Sequence, residues 1–182
     1  MYLIQPKDQN TLSADTQRTL NSFKDQHGHV PNFMTTLAHA PAVLDMYVSG
    51  ARLLGDGVLS RPLQQKIAIV VAGHNDCAYC LAAHTEIGRR LGISEPELIG
   101  AQAGLALDSK EQALLEYAIE LNANHGRPCA EIILKAQSEG VTTEEIFEVA
   151  AHVSLNILSN MINGLAYTEV DFPAVAALPH AA

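Results

Sequence analysis

The 182-residue chain contains no tryptophan and few aromatic residues of any kind, only four Phe and five Tyr. Basic residues are also scarce, since eleven Lys and Arg stand against twenty Asp and Glu and give a formal net charge of −9. Nucleic-acid binding needs a concentrated basic surface, and the sequence has no Lys/Arg cluster with interleaved aromatics. We therefore expect no nucleic-acid partner, and a core filled mainly by aliphatic side chains.

Long apolar runs and a leader segment are missing as well. The longest apolar run, residues 67–73, is far too short to span a bilayer. The first ten residues contain no basic segment followed by an apolar stretch, which a secretory signal would show. Three cysteines are too few, and odd in number, for a secreted disulfide framework. These absences predict a cytoplasmic protein with no membrane partner, in which the two neighbouring cysteines are reactive.

Helical periodicity and helix-ending signals recur along the chain, whereas no convincing strand pattern occurs. Two joints, residues 91–98 and 139–146, combine a glycine with a following capping box, formed by Ser94 with Glu97 and by Thr142 with Glu145. The sequence therefore predicts an all-α fold. Helices are expected over 13–27, between 31 and 41, from 41 to the glycines at 55–57, over 61–73, and from 142 to about 166, with Ser109 and Gln112 as a weaker third capping box.

The segment HNDCAYCLAAH, residues 74–84, concentrates two of the three cysteines and two of the eight histidines. We expect a helix to start at Cys77, with Asn75 or Asp76 as its N-cap. At about 100° per residue, Cys77, Cys80 and His84 then lie within an arc of about 60°. A helix N-terminus and a nearby imidazole both favour the thiolate form of a cysteine. The pattern predicts a pair that reacts with a peroxide through a sulfenic acid and closes to a disulfide.

Two other interpretations of this motif remain open. His74, Cys77, Cys80 and His84 could bind zinc, although structural zinc sites usually join two ligand pairs that are separated in sequence. Alternatively, the cysteines are small buried side chains without a chemical role.

A polar stripe marks the last long helix, where Asn156, Asn160 and Asn163 recur at helical spacing, with His152 one turn earlier. Buried amides are normally hydrogen-bonded, so the stripe is expected at a helix or subunit contact. The alternative is a polar wall over the cysteine site.

Five further residues have simpler interpretations. Tyr79, between the two thiols, is expected to be a packing residue or a pocket wall. Asp45, Tyr47 and Arg52 are interpreted as the solvated edge of their helix, and Cys129 as a packing residue.

The motif resembles the core of the carboxymuconolactone decarboxylase/AhpD-like superfamily, alkylhydroperoxidase branch. That branch carries Glu, eleven residues, Cys-x-x-Cys, three residues and His. The resemblance extends over roughly residues 25–173 and includes VPNFMTTLAHAPAVLDMY and NMINGLAYTEVDFP. It implies a single AhpD-like domain over 1–182, assembled as a homotrimer or homohexamer. Within the domain we expect an N-terminal helical extension (1–58), a core with the cysteine motif (59–173) and a tail (174–182).

The resemblance also implies an activity: a thiol-dependent peroxidase that reduces small hydroperoxides without a bound cofactor or metal. A protein or small dithiol would act as the reductant. Carried over by position, Cys80 is the peroxidatic cysteine, Cys77 the resolving cysteine and proton donor, and His84 the relay histidine. Proximity to His84, one helical turn away, also favours Cys80 as the attacking sulfur.

One position departs from the family pattern. Gln65 stands where the motif carries its relay glutamate, and an amide cannot accept a proton as a carboxylate does. This substitution keeps a second hypothesis open: a non-catalytic redox sensor or thiol–disulfide partner protein.

Overall fold

The computed structural model describes residues 3–178, apart from the side chains of residues 26 and 27. Over this part of the chain the fold contains helices and no strand, which confirms the all-α prediction. The helices are α1 (Ala14–His27), α2 (Asn32–Leu37), α3 (Pro41–Gly55), α4 (Arg61–His74), α5 (Ala78–Arg90), α6 (Glu95–Gln102), α7 (Ser109–Ala123), α8 (Ala130–Ser138) and α9 (Thr143–Ala166).

Local signals set most of the helix ends. Ser13, Ser60 and Thr142 are N-caps whose side chains each accept a backbone N–H three residues later. Ser94 and Thr142 form the predicted capping boxes with the glutamates three residues on. Gly28 ends α1 in the left-handed region at φ 83°, where a glycine carries no steric penalty. The predicted starts of α1, α4 and α9 are therefore confirmed.

The expected third capping box, from Ser109 to Gln112, is wrong. α7 begins one residue earlier than that box requires, because Asp108 is its N-cap and accepts the N–H of Glu111 at 2.9 Å. The Gln112 side chain instead accepts the N–H of Ala106 at 2.8 Å. A carboxylate at the cap also interacts favourably with the helix dipole, which explains why Asp108 takes the position from its neighbour.

α4 is the centre of the fold, with α5, α6, α7 and α9 packed around it. Ten of its fourteen residues are buried. Its apolar run over 67–73 therefore lacks a polar face, as expected for a helix surrounded by others.

The two sides of α4 face two different cores. The cysteine-side core joins α4 to α2, α3, α5 and α6, and its buried members include Phe33, Leu44, Ile69, Tyr79, Cys77, Cys80, Leu81 and Leu98. The α7-side core joins α4 to α7 and α9, and its buried members include Ile67, Val70, Val71, Leu114, Leu115, Tyr117, Val149 and Val153.

A buried cation fixes α4 against α6 and α7. The Lys66 ammonium donates to Glu97 at 3.1 Å and to Glu111 at 2.7 Å, although Lys66 itself is only 6% exposed. A buried ammonium without partners would be strongly destabilising, so the two glutamates compensate for its loss of hydration. The arrangement holds in register the helix that also carries Gln65.

Large apolar side chains remain exposed on α3 and α9. Met46, Leu53, Phe147, Met161 and Leu165 are each more than half exposed. Apolar side chains that form a contiguous exposed patch are typical of protein–protein contacts. The homotrimer or homohexamer stays a prediction, and these side chains are the surface on which it depends. None of the helices between residues 3 and 178 combines the length and apolar composition that a membrane span needs.

Candidate redox site

The two cysteines of the motif lie at the beginning of α5. Cys77 and Cys80 are joined by a disulfide, with their Cα atoms 5.4 Å apart. Both are buried, at 8% and 3% exposure. The remaining cysteine, Cys129, is exposed at the N-cap of α8, so its interpretation as a packing residue is wrong.

Cys77 itself is the N-cap of α5, and the expectation of Asn75 or Asp76 in that role is wrong. Asn75 closes α4, and Asp76 then turns the chain in the left-handed region at φ 52°. This turn places the Cys77 sulfur over the first turn of α5, where it accepts the N–H of Cys80 at 3.3 Å. The helix N-terminus therefore stabilises negative charge that develops on the cysteine pair.

Gln65 and His84 are brought together from α4 and α5. His84 Nδ1 lies 2.9 Å from Gln65 Oε1. An amide oxygen only accepts, so this bond requires a proton on Nδ1 and leaves Nε2 as the basic nitrogen of the ring. Gln65 thus holds the imidazole in one orientation and one tautomer.

The surroundings of His84 favour the neutral ring. Burial, and then the nearby His152, lower the pKa of His84 to about 4. An adjacent carboxylate would stabilise the imidazolium, but the neutral amide of Gln65 supplies no such charge. At neutral pH, His84 is therefore a base whose protonated form is unfavourable.

Asn163 enters the site from α9, 83 positions after the cysteine that it contacts. Its Nδ2 donates to the Cys80 sulfur at 3.3 Å, and its side chain is buried. The other two members of the polar stripe bond elsewhere. Asn160 Oδ1 accepts from Asn75 Nδ2 at 2.9 Å, and Asn156 donates within α9 to the carbonyl four residues earlier. The stripe thus combines both interpretations, since Asn163 borders the cysteines and Asn160 joins α9 to the end of α4.

Cys80 and His84 line a large apolar pocket, here called the aromatic pocket. The pocket is about 710 Å³ with its open mouth included. An ion pair, Glu86 with Arg90 at 2.9 Å, adds charge to a lining that is otherwise mostly apolar. More than half of the chain's aromatic residues contribute to it: Phe23, Phe33, Tyr47, Tyr79 and Phe172.

Tyr47 belongs to this pocket, so its assignment to a solvated helix edge is wrong. Its ring meets Phe33 edge-on at 5.0 Å, and burial raises the pKa of its phenol to about 12. Asp45 and Arg52 of the same helix are exposed, as predicted. The face of α3 that turns inward is determined by packing against α2, which the sequence of α3 does not encode locally.

Tyr79 is both a packing residue and a pocket wall. Its hydroxyl accepts the N–H of Phe33 at 3.1 Å, which joins α5 to the start of α2. Its ring meets Phe172 edge-on at 5.7 Å. The chain after α9 therefore returns to cover the cysteine-side core and completes the pocket.

A second opening reaches the other sulfur of the pair. This Cys77 cleft is lined by Asp76, Cys77, Ala78, Tyr79, Asn163, Gly164, Tyr167, Thr168 and Val170. Cys80 and His84 do not line the Cys77 cleft, and Cys77 does not line the aromatic pocket. Each cysteine of the disulfide thus lines its own opening.

The zinc interpretation of the motif gains no support from the geometry. Across residues 3–178, no three His, Cys, Asp or Glu side chains are grouped in a way that can hold a metal ion. His74, the fourth ligand that zinc would need, is exposed at the end of α4.

Residues 41–120 match the model of the carboxymuconolactone decarboxylase family. This match covers 80 of the 182 residues, so that part of the chain is similar to the family. The match begins inside the segment 1–58 that we predicted as an N-terminal extension, and the division of the domain into three parts remains a prediction. No curated protein sequence matches the chain at a significant level.

Several solved structures share the fold of this chain. A protein described as alkylhydroperoxidase AhpD core, an uncharacterised peroxidase-related protein from Ralstonia eutropha JMP134, has a TM-score of 0.85 at 20% identity, over 93% of this chain and 92% of that one. A peroxidase-related protein from Silicibacter sp. TM1040 has a TM-score of 0.79 at 21% identity, over 87% and 86%. The debrominase Bmp8, as a cysteine-to-alanine variant in complex with 2,3,4-tribromopyrrole, has a TM-score of 0.78 at 15% identity, over 93% and 91%. At these identities the similarity establishes the fold alone.

Proposed function

We propose that this protein is a thiol-dependent peroxidase of the alkylhydroperoxidase type, which reduces small hydroperoxides through a Cys77/Cys80 disulfide cycle. The observation that carries the proposal is the position of Cys80. Cys80 lines an apolar pocket that His84 also lines, and its sulfur accepts an N–H from Asn163. A nucleophile, a stabilising donor and a base are thus placed around one cavity.

The oxidative half of the cycle begins when His84 Nε2 takes the proton of the Cys80 thiol. The thiolate attacks the outer oxygen of the hydroperoxide, and the O–O bond breaks. The alkoxide that leaves takes the proton back from His84 and departs as an alcohol. Cys80 is now a sulfenic acid; the Cys77 thiol attacks its sulfur, water is released, and the disulfide closes.

The roles of the surrounding residues follow from this sequence. The Asn163 N–H stabilises the Cys80 thiolate, since hydrogen bonds to a charged sulfur are stronger than bonds to a neutral one. Gln65 orients His84 without supplying charge. Because the pKa of His84 is about 4, the imidazolium intermediate is costly, and we expect slower turnover than a glutamate at position 65 would give.

A dithiol completes the cycle. It donates two electrons and two protons to the disulfide and is itself oxidised to a disulfide. The protein needs no bound cofactor for either half of the cycle.

A specific observation favours a second candidate, a redox sensor or thiol–disulfide partner protein with weak peroxidase activity. Without a carboxylate beside His84, the pair can still form a disulfide, but proton transfer is inefficient. In that case oxidation of Cys77 and Cys80 would change a partner contact, and turnover would be incidental.

One assay distinguishes the two candidates. Loss of tert-butyl hydroperoxide is followed with excess dithiothreitol, after subtraction of the uncatalysed rate. A peroxidase consumes many equivalents of hydroperoxide per protein at a rate far above the uncatalysed rate, whereas a sensor with weak peroxidase activity turns over only slowly. Omission of dithiothreitol should limit either protein to one equivalent.

A further arm of the assay replaces the hydroperoxide by 2,3,4-tribromopyrrole. The debrominase with this fold was crystallised with that compound, and the aromatic pocket here is lined by rings that suit a flat apolar molecule. Bromide release that is faster than hydroperoxide loss would mean that a brominated aromatic compound, and not a hydroperoxide, oxidises the cysteines. The Cys77/Cys80 pair would remain the reactive group.

A further inference from the structure

The two cysteines of the disulfide line different openings. Cys80 borders the aromatic pocket and Cys77 borders the Cys77 cleft; Tyr79 and Asn163 line both. A protein that used one entrance for both half-reactions would require the alcohol product to leave before a reductant could enter. Two entrances remove that requirement.

The Cys77 cleft differs in chemistry from the aromatic pocket. Its lining includes the carboxylate of Asp76 and the hydroxyl of Thr168. Within the described residues, Thr168 Oγ1 and Asn163 Oδ1 are buried and have no hydrogen-bond partner. Both belong to residues that line the cleft and are more than nine-tenths buried. Such atoms normally carry a bond, so they point to a polar ligand at this opening.

Thiol–disulfide exchange imposes a direction on the attack. The incoming thiolate bonds to one sulfur, and the other sulfur leaves with the electron pair. A leaving thiolate on Cys80 is stabilised by the Asn163 N–H at 3.3 Å. Attack on Cys77 therefore leaves the negative charge on the sulfur that the oxidative half of the cycle needs.

We propose that the Cys77 cleft is the binding site of the reductant, a neutral dithiol with polar groups, and that its first thiol attacks the Cys77 sulfur. This inference rests on the disulfide cycle of the proposed function. A bond forms between the donor sulfur and Cys77, and the Cys77–Cys80 bond breaks. The second donor thiol then attacks the first donor sulfur and releases Cys77. The donor leaves as a disulfide, and each cysteine regains a proton.

The charge of the protein favours a neutral donor. The carboxylate of Asp76 and the net charge of −9 disfavour anionic donors.

The attacked sulfur can be identified without any substitution. The oxidised protein is treated with 2-mercaptoethanol and quenched with N-ethylmaleimide, which traps the released thiol before the disulfide re-forms. Fragmentation of the peptide then locates the two groups. The expected product carries mercaptoethanol on Cys77 and maleimide on Cys80, and the reverse pattern would overturn the proposal. The measurement needs no peroxide, so it remains valid if the protein has no peroxidase activity.

The entrance itself is tested by filling it. Gly164 is an exposed helical residue of α9, and a Cβ built on it meets nothing within 4 Å. Gly164→Leu should therefore keep the fold and extend into the Cys77 cleft, whereas Gly164→Ala controls for the change in helix propensity. We expect Gly164→Leu to slow reduction by dithiothreitol at least tenfold, with the rate of oxidation by tert-butyl hydroperoxide unchanged.

A variant of the aromatic pocket provides the matched comparison. Ile87, which is exposed and lines the aromatic pocket, is replaced by tryptophan. Ile87→Trp should slow oxidation and leave reduction unchanged. If Ile87→Trp slows reduction and Gly164→Leu does not, the reductant enters through the aromatic pocket and the proposal fails.

The preference for a neutral donor is tested on wild-type protein. It should react faster with dithiothreitol than with glutathione at equal thiolate concentration, and the opposite order would exclude that preference.

Discussion

The two cores on either side of α4 are built from different kinds of residue. The cysteine-side core holds both cysteines and adjoins the aromatic pocket, which takes five of the chain's nine aromatic residues. The α7-side core is made of Leu, Ile, Val and Ala, with Tyr117 as its one buried aromatic member. Most of the chain's few aromatic residues therefore surround one cavity.

This difference indicates that the α7-side core mainly stabilises the fold, whereas the cysteine-side core carries the thiol chemistry. Aliphatic side chains interdigitate closely and leave little empty space, which makes the α7-side core suited to stabilising the fold. Rigid rings that meet edge-on, as Phe33 and Tyr47 do, can surround a cavity without collapsing into it. Gln65, His84 and Asn163 all face the cysteine-side core or its pocket. Variants on the two sides should therefore differ most in their effect on thiol chemistry, and the effects are taken below from the largest to the smallest.

The largest effect is expected from the cysteines themselves. Cys80→Ser should abolish hydroperoxide reduction and give no sulfenic acid that dimedone can trap, because the attacking sulfur is gone. Cys77→Ser should still form a trappable sulfenic acid at Cys80, since only the resolving thiol is missing. Peptide mapping by mass spectrometry measures both. In wild-type protein, mild peroxide should remove two of the three thiols and lower the monomer mass by two hydrogens.

Cys129→Ser serves as the control, because the exposed Cys129 is remote in sequence and absent from both openings. It should behave as wild type. A sulfenic acid at Cys77 in the Cys80→Ser protein would reverse the two roles, and a bridge that includes Cys129 would overturn the site.

A smaller but positive effect is expected from Gln65→Glu. A carboxylate beside His84 Nδ1 stabilises the imidazolium and raises the pKa of His84 from about 4 towards neutrality. The proton relay then becomes less costly, and we expect hydroperoxide reduction to be about tenfold faster or more. This is below the roughly 10²–10⁴-fold of a positioned base, because His84 is already present as the base. Steady-state rates over pH 5 to 8 measure this.

The pH profile gives an independent readout of the same change. In wild-type protein His84 is neutral throughout that range, so it should produce no inflection. In Gln65→Glu the rate should fall as the pH drops through the raised pKa, because the basic form of His84 is lost. Gln65→Leu, which cannot orient the ring, should be slower than wild type. An unchanged or lower rate for Gln65→Glu would mean that another group relays the proton, and His74 would be tested first.

A still smaller effect is expected from Asn163→Leu. Loss of the N–H that Asn163 donates to Cys80 should raise the pKa of the Cys80 thiol by about one to two units, since a hydrogen bond to a charged group is worth about 1.5–3 kcal/mol. The pH dependence of iodoacetamide alkylation, measured with Cys77 and Cys129 replaced by serine, reports this pKa directly. Asn156→Leu removes a buried amide from the same helix without touching sulfur, and should leave the pKa unchanged. Equal shifts in the two variants would make Asn163 a structural residue only.

The sequence predicted what depends on neighbouring residues. Ser13, Ser60, Ser94 and Thr142 cap helices because the N–H that each accepts lies three residues away, so cap and partner are visible in one short window. The spacing of Cys77 and Cys80 likewise requires no long-range information. Where two adjacent residues can both cap, as at Asp108 and Ser109, the pattern alone did not decide between them.

The sequence could not predict what depends on tertiary packing. Asn163 meets Cys80 only because α9 crosses α5, and Tyr47 turns inward only because α2 lies against α3. Cys77 becomes an N-cap because Asp76 adopts a left-handed conformation, which sequence rules assign preferentially to glycine or asparagine. The contact between Gln65 and His84 was anticipated through the family resemblance, since their separation of nineteen positions spans two helices.

The smallest effect on thiol chemistry is expected in the α7-side core, and a matched pair of leucines tests the comparison most sharply. Leu115 in the α7-side core and Leu81 in the cysteine-side core are 0% and 2% exposed, so their replacement by alanine removes the same atoms from equally buried positions. Both changes should lower the free energy of unfolding by about 2–5 kcal/mol, measured by urea denaturation. Only Leu81→Ala should alter the alkylation pKa and rate of Cys80, because Leu81 directly follows that cysteine in α5 and a cavity there loosens the first turn. Leu115→Ala should leave both quantities at their wild-type values well below its melting temperature. A change in Cys80 reactivity of equal size in the two variants would show that α4 transmits packing defects from one core to the other, and the separation of stability from chemistry would then fail.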